Sequence, residues 1–178
     1  PFGEDAQVDL IVTLTRGSIS VEKRIPLTVK AIDEAEIDRE IELMEAAKAA
    51  YFDGINNGAN PDKDHVTENL TAFREVNFGE GDSLVWTYTY LDDKGTGIRP
   101  VSIEPDDEMG ELGYNLFQSS NTSVIKHENL LVTQPAQDTQ VTISSVLSST
   151  KFEKYAEQYP DNEKLQKLYR QPVSVTAT

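Results

Sequence analysis

Asp9-Leu10-Ile11-Val12-Thr13-Leu14 and Ile25-Pro26-Leu27-Thr28-Val29-Lys30-Ala31 are answered later in the chain by Asp138-Thr139-Gln140-Val141-Thr142-Ile143 and Gln171-Pro172-Val173-Ser174-Val175-Thr176-Ala177. Each phrase alternates apolar and polar residues, the period of a strand with one face turned to a core. Two copies of one strand pattern imply a tandem β-module, because repetition constrains architecture more strongly than any single segment does.

Working outward from the first copy, residues 8–15 and 18–30 alternate on either side of Arg16-Gly17, which predicts two half-buried strands joined by a short glycine turn. Pro26 has no amide hydrogen for a ladder, so its strand belongs at a sheet edge or begins anew there. From Asp33 the period changes to three and four, through Ile37, Ile41, Met44, Ala47, Lys48 and Tyr51. Asp33, Glu34 and Glu36 occupy the first turn, where the helix dipole favours anions, and a helix is expected over 33–53. Gly54 and Asn56-Asn57-Gly58-Ala59-Asn60-Pro61 stop it, and a short helical turn over 62–70, capped by Asp62 or Asp64, ends before Thr71.

Residues 84–91 read as a strand, 92–97 as a turn, and 98–103 as that strand's partner. Short strands are expected at 115–118, 124–126 and 130–133, and such punctuated strands argue for a sandwich. The last strand pair is interrupted by a helical excursion over 151–170, in which Asp161 caps a segment carrying Leu165, Leu168 and Tyr169 on one face.

Composition narrows the function classes. At 178 residues, 38% of them hydrophobic, the chain suits one good core or one domain plus part of another. Its net charge of −15 repels nucleic acid and anionic lipid surfaces. No apolar run approaches the ~20 residues of a membrane helix, and Pro1-Phe2-Gly3-Glu4 has neither part of a signal peptide, so an export signal or anchor is expected outside this sequence. With no cysteine, disulfides, thiolate catalysis and zinc-thiolate sites are excluded. No cofactor is expected.

The order of several stretches resembles the atypical immunoglobulin-like domains repeated in surface proteins of Gram-positive bacteria. They are Val66-Thr67-Glu68-Asn69-Leu70-Thr71, Leu116-Phe117-Gln118-Ser119-Ser120-Asn121 with Val124-Ile125, Leu131-Val132-Thr133-Gln134-Pro135, the strand 138–143, and Val173-Ser174-Val175. The resemblance implies a mainly β chain, an α+β variant with helical insertions: an immunoglobulin-like β-sandwich over 32–178, preceded at 1–31 by the docked C-terminal hairpin of another repeat. It also implies an exported, non-catalytic spacer or adhesion element. Its partners would be neighbouring modules of the same polypeptide, with cell-wall or host glycan or protein as further candidates. The sequence departs from the family where Phe117 replaces a tryptophan, and through two insertions, at about 73–113 and 148–170.

Candidate chemistry is thin. Trp86, Tyr88 and Tyr90 share one strand face, and either they or Tyr155 and Tyr159 of the late insert would form a stacking platform for sugar rings, although aromatics in such a stripe more often serve as core. Asp92 and Asp93, with Thr96 beside them, and Asp62 and Asp64, in an Asn-rich stretch, supply the oxygens a calcium ion takes. Neither group has EF-hand spacing, and turn chemistry accounts for both. His65 and His127 read as surface residues, and Ser119 and Ser120 lack the glycines of a nucleophile elbow. Acidic pairs such as Glu104 with Asp106, or Glu153 with Glu157, are what chance supplies among 31 acids.

Overall fold

A computed structural model describes residues 3–57, 66–78, 97–104 and 115–178. The chain divides into two compact units, Pro1–Arg39 and Glu40–Thr178. The division falls inside a helix, eight residues beyond the expected end of the first segment at Ala31.

The first unit is built on a ribbon of β1 (Ala6–Arg16) and β2 (Ile19–Val29), paired antiparallel along all eleven positions from Ala6↔Val29 to Arg16↔Ile19. The two-residue turn Gly17-Ser18 has a positive φ (61°) at Gly17 and not at Ser18, which fits a type II′ turn. That turn matches the right-handed twist of the strands, and the first position favours glycine because it has no Cβ to clash. The base is clipped by Asp5, whose carboxylate accepts from Lys30 Nζ (2.6 Å) and from the Ala31 amide (2.8 Å). Every residue of both strands except Ala6 is exposed.

α1 (Glu34–Ala50) begins where Asp33 Oδ1 accepts from the Ala35 amide. Its buried face carries Ile37, Glu40, Met44 and Ala47 and continues to Tyr51. The expected stripe had Ile41 where the structure buries Glu40, and Ile41 is half-buried. Both positions fit a 3.6-residue period, and burying the Glu40 carboxylate requires a hydrogen-bond partner that the sequence alone does not show. The single helix expected to Asp53 is instead α1 followed by α2 (Asp53–Asn57). α3 (Val66–Phe78) does not end before Thr71: it runs on, with the Thr71 hydroxyl bonded back to the Thr67 carbonyl (2.9 Å) and Phe73 buried. Leu70 and Phe73, three apart, form an apolar face that outweighs the weak helix propensity of threonine.

The second unit holds one four-stranded antiparallel sheet among the described residues: β3 (Ile98–Val101), β4 (Gln118–Ser119), β5 (Val141–Ser149) and β6 (Gln171–Ala177). Its centre is β5. Residues Val141 to Leu147 pair with β6 on one side, while β4 at Ile143 and Ser144 and β3 from Val146 to Ser149 share the other. This sheet is the one sheet of the unit among the described residues, and Glu40 of α1 bonds to Ser149 of its central strand. Pro100 of β3 and Pro172 of β6 both lie on strands flanking β5, where a missing amide costs least.

Several expected strands differ in detail. The strand over 138–143 starts at Val141 and runs to Ser149. Of residues 98–103, expected to pair with 84–91, Ile98 to Val101 pair with β5; residues 84–91 lie outside the described set. The strands expected at 124–126 and 130–133 reduce to one bridge, Ile125↔Val132. The chain turns tightly between them, with Leu130 at φ 54° and its side chain buried.

Alternate residues of β5, namely Val141, Ile143, Ser145, Leu147 and Ser149, are all buried. Over them sit Tyr51, Phe52, Phe73 and Phe117, whose ring centroids lie 4.7 to 6.3 Å apart in edge and tilted contacts. Such pairs add about 0.5–1.5 kcal/mol each beyond the area they bury. Asn69 Nδ2 donates to the Ile55 carbonyl (3.0 Å) and Asn56 Nδ2 to that of Thr176 (3.1 Å), which ties α3 to α2 and α2 to β6. Phe73, at the expected start of an insertion, therefore sits in the core, as does Phe117.

Candidate functional site

The two ends of the sheet differ. At the Leu147↔Gln171 end the chain between β5 and β6 folds into α4 (Glu153–Gln158) and α5 (Glu163–Gln166), with Phe152, Ala156, Leu165 and Leu168 buried. Asn162, not Asp161, caps α5: its Oδ1 accepts from the amides of Lys164 and Leu165. The Ser149 amide donates to the Leu168 carbonyl (2.9 Å), closing the insert onto the sheet. Arg170, at φ 50°, donates through Nη2 to the carbonyls of Ser102 and Ile103, both at 2.7 Å. Gly97, at φ 65°, packs so close to Thr150 that an added Cβ would lie 2.7 Å from its hydroxyl.

At the Val141↔Ala177 end there is a cavity of about 640 Å³. Its walls come from the start of α3 (Val66, Thr67), from the bridge region at Ile125 and Val132, and from the Gln134 to Thr139 segment. Apolar and uncharged polar groups line it, with Asp138 the one ionisable side chain among the described residues. This volume is in the range of small-molecule sites. A smaller cavity of about 280 Å³ brings together Glu104, Ser119 and His127. His127 is half-buried, not a plain surface residue, and its Nε2 lies 3.7 Å from Glu128. No hydrogen bond joins Ser119 to His127; the Ser119 hydroxyl accepts from the Asn121 amide (3.3 Å). The nucleophile-to-base contact that acyl transfer uses is therefore not formed.

Tyr155 and Tyr159 are both half-buried, four residues apart on α4 and its C-terminal cap. Trp86, Tyr88 and Tyr90 lie outside the described residues, as do Asp62, Asp64, Asp92, Asp93 and His65. The proposed ring stripe of 86–90 and both proposed calcium groups therefore fall outside the described residues. Among the described residues no cluster of three or more His, Cys, Asp or Glu side chains is placed to hold a metal ion.

Two buried polar features were not read from the sequence. The Glu40 carboxylate, 3% exposed, accepts from the Ser149 hydroxyl at 2.7 Å. The hydroxyls of Tyr51 and Ser145 are both buried, and neither forms a well-made hydrogen bond. Burial pushes the Tyr51 phenol far up, and its neighbour Ser145 opposes this only weakly. Tyr169 is also raised, first by desolvation and then by Glu157, to which its hydroxyl donates at 3.2 Å. The signal for Glu40 was its place three residues after Ile37 and four before Met44; that for Ser145 was its place two residues after Ile143 and two before Leu147, on one strand face. No described helix is long and apolar enough to cross a membrane. Comparison of the chain with family models, curated proteins and solved structures found no match.

Proposed function

We propose that the chain is a non-catalytic module of the immunoglobulin-like kind from an exported bacterial surface protein, a spacer or adhesion element that works beside neighbouring modules of the same polypeptide. What supports this reading is the use made of the polar side chains at the insert. Arg170, Asn162 and Gln166 spend their hydrogen bonds on backbone groups, which stiffens the sheet end and leaves no set of reactive groups converging there. The immunoglobulin-like reading further expects a second β-layer, and it rests on the order of stretches quoted above.

A second reading, a glycan-binding module, is favoured by the partial exposure of Tyr155 and Tyr159, with Trp86, Tyr88 and Tyr90 as further ring surfaces. An array of glycans and host proteins, probed with the wild-type chain and with Trp86→Ala and Tyr155→Ala, separates the two. The spacer or adhesion reading expects no saturable glycan capture that depends on these rings. Saturable capture that either substitution abolishes replaces it with the second.

A further inference from the structure

We propose that one face of the β1–β2 ribbon is a self-association surface, and that its occupant is the same face of a second copy of this chain. Antiparallel partners share a face, so the register groups Val8, Leu10, Val12 and Leu14 with Ile19, Val21, Ile25, Leu27 and Val29. These nine large apolar side chains are 37 to 72% exposed. The other face carries Gln7, Asp9, Thr13 and Thr15 opposite Thr28, Pro26, Glu22 and Ser20, laced by Thr28–Gln7 (3.1 Å) and Thr15–Ser20 (3.3 Å) hydrogen bonds and an Arg24–Asp9 contact of 3.9 Å. Ile11 is the one large aliphatic residue there.

A two-stranded ribbon is marginal by itself in water, and a contiguous apolar patch of several hundred Å² marks a place where something docks. Nine half-exposed aliphatic side chains leave on the order of 500 Å² of apolar surface per copy. Two copies then cover about 1,000 Å², the size at which a contact becomes a specific interface. Packed face to face about 10 Å apart, two such ribbons make a small two-layer sandwich with an isologous, closed interface.

Charge permits this pairing. In a chain of net charge −15, no Asp or Glu of the two strands lies on the apolar face. Its two charged residues are Arg16, at the turn, and Lys23. Because the ribbon is only two strands wide, Lys23 can lay its stem over the apolar surface and keep its ammonium at the rim.

Sedimentation velocity of the full chain at about 50 μM is expected to show a dimer. Leu10→Asp, which puts a carboxylate into the face, raises the dissociation constant about a hundredfold or more, whereas Thr13→Asp on the opposite face leaves it within about twofold. Lys23→Leu, which removes the one charge in the middle of the face, lowers it about tenfold. A monomeric wild type overturns the proposal, as does a dimer that survives Leu10→Asp. Equal weakening by Leu10→Asp and Thr13→Asp also overturns it, since edge pairing or general loss of the ribbon acts on both. If Leu10→Asp disrupts the ribbon itself, Lys23→Leu still decides: a dimer no tighter than wild type defeats the idea.

Discussion

The β1–β2 pair and the β5–β6 pair carry nearly the same strand phrases, yet one is exposed along its length and the other forms the centre of a core. The phrases do not even pair alike. Pro26 stands opposite Asp9, but Pro172 stands opposite Val146, eight residues beyond Asp138, the counterpart of Asp9. A slip by an even number keeps each side chain on its face, so alternation alone gives no warning of it. The first pair is closed by a two-residue turn, which dictates its register. The second is closed by a helical insert, and its register follows from what β5 meets on both edges and on its buried face. A strand is a local event; its burial depends on distant parts of the chain.

The comparison breaks first at the aromatic cluster. Phe117→Ala is expected to cost about 3–5 kcal/mol in urea unfolding followed by circular dichroism, through lost burial and the cavity left behind. The same truncation on the ribbon, Leu14→Ala, is expected to move that transition by less than about 0.5 kcal/mol, since Leu14 is 72% exposed. Equal effects would mean that the ribbon and the core are one cooperative structure.

Next in size is the clamp at the insert. Arg170→Ala removes two bonds from a guanidinium to backbone carbonyls and should cost about 2 kcal/mol, read as a lower denaturant midpoint. Arg170→Lys should recover only part of this, because a single ammonium does not reproduce the planar guanidinium.

Tyr51 sharpens the comparison through pH. Its phenol is raised in the folded state, so the stability it contributes is present below the ordinary value of 10.0 and is lost as pH rises beyond it. The core transition should weaken above pH 10 by up to about 1.4 kcal/mol per pH unit. Tyr169, shifted the same way, adds to this fall. Tyr51→Phe should flatten it and change stability at pH 7 by no more than about 1 kcal/mol, since the hydroxyl has no well-formed partner to lose.

The smallest effect belongs to the ribbon. Lys30, and then the Ala31 amide, hold the Asp5 carboxyl below its ordinary value of 3.8, so the clip is present above that pH and lost as pH falls through the lowered value. Asp5→Asn should speed exchange of the Ala31 amide at neutral pH, measured by NMR, and wild type should come to match it in acid. Wild-type protection that persists unchanged in strong acid would place the clip elsewhere.

The hairpin, the start of α1 and the helical character of 151–170 were legible in the residues, because glycine turns, helix periods and acidic first turns act over a few positions, whereas Gly54, expected to stop the first helix, lies inside α2. The length of α3 was not legible: the short turn expected to end before Thr71 runs on to Phe78, because the Leu70 and Phe73 face gains its value only from the distant partners it is buried against. The cap of α5 was shifted by one, since Asp161 and Asn162 are both good caps and only backbone geometry separates them. The candidate site was less legible. Tyr155 and Tyr159 each keep part of their surface on the insert, but nothing local marks the cavity at the Val141↔Ala177 end, whose walls come from four separate stretches.

By itself the sequence determined the alternating strands, the tight turn at Gly17, the helical runs and the acidic charge, since each follows from neighbours within a turn or a pleat. Only the tertiary structure decided that β5 is the central strand, that Glu40 takes a core position against Ser149, and that one copy of a strand pattern is covered while the other presents its apolar face. Those outcomes depend on which distant surfaces meet, and the free energy of meeting is a property of the pair.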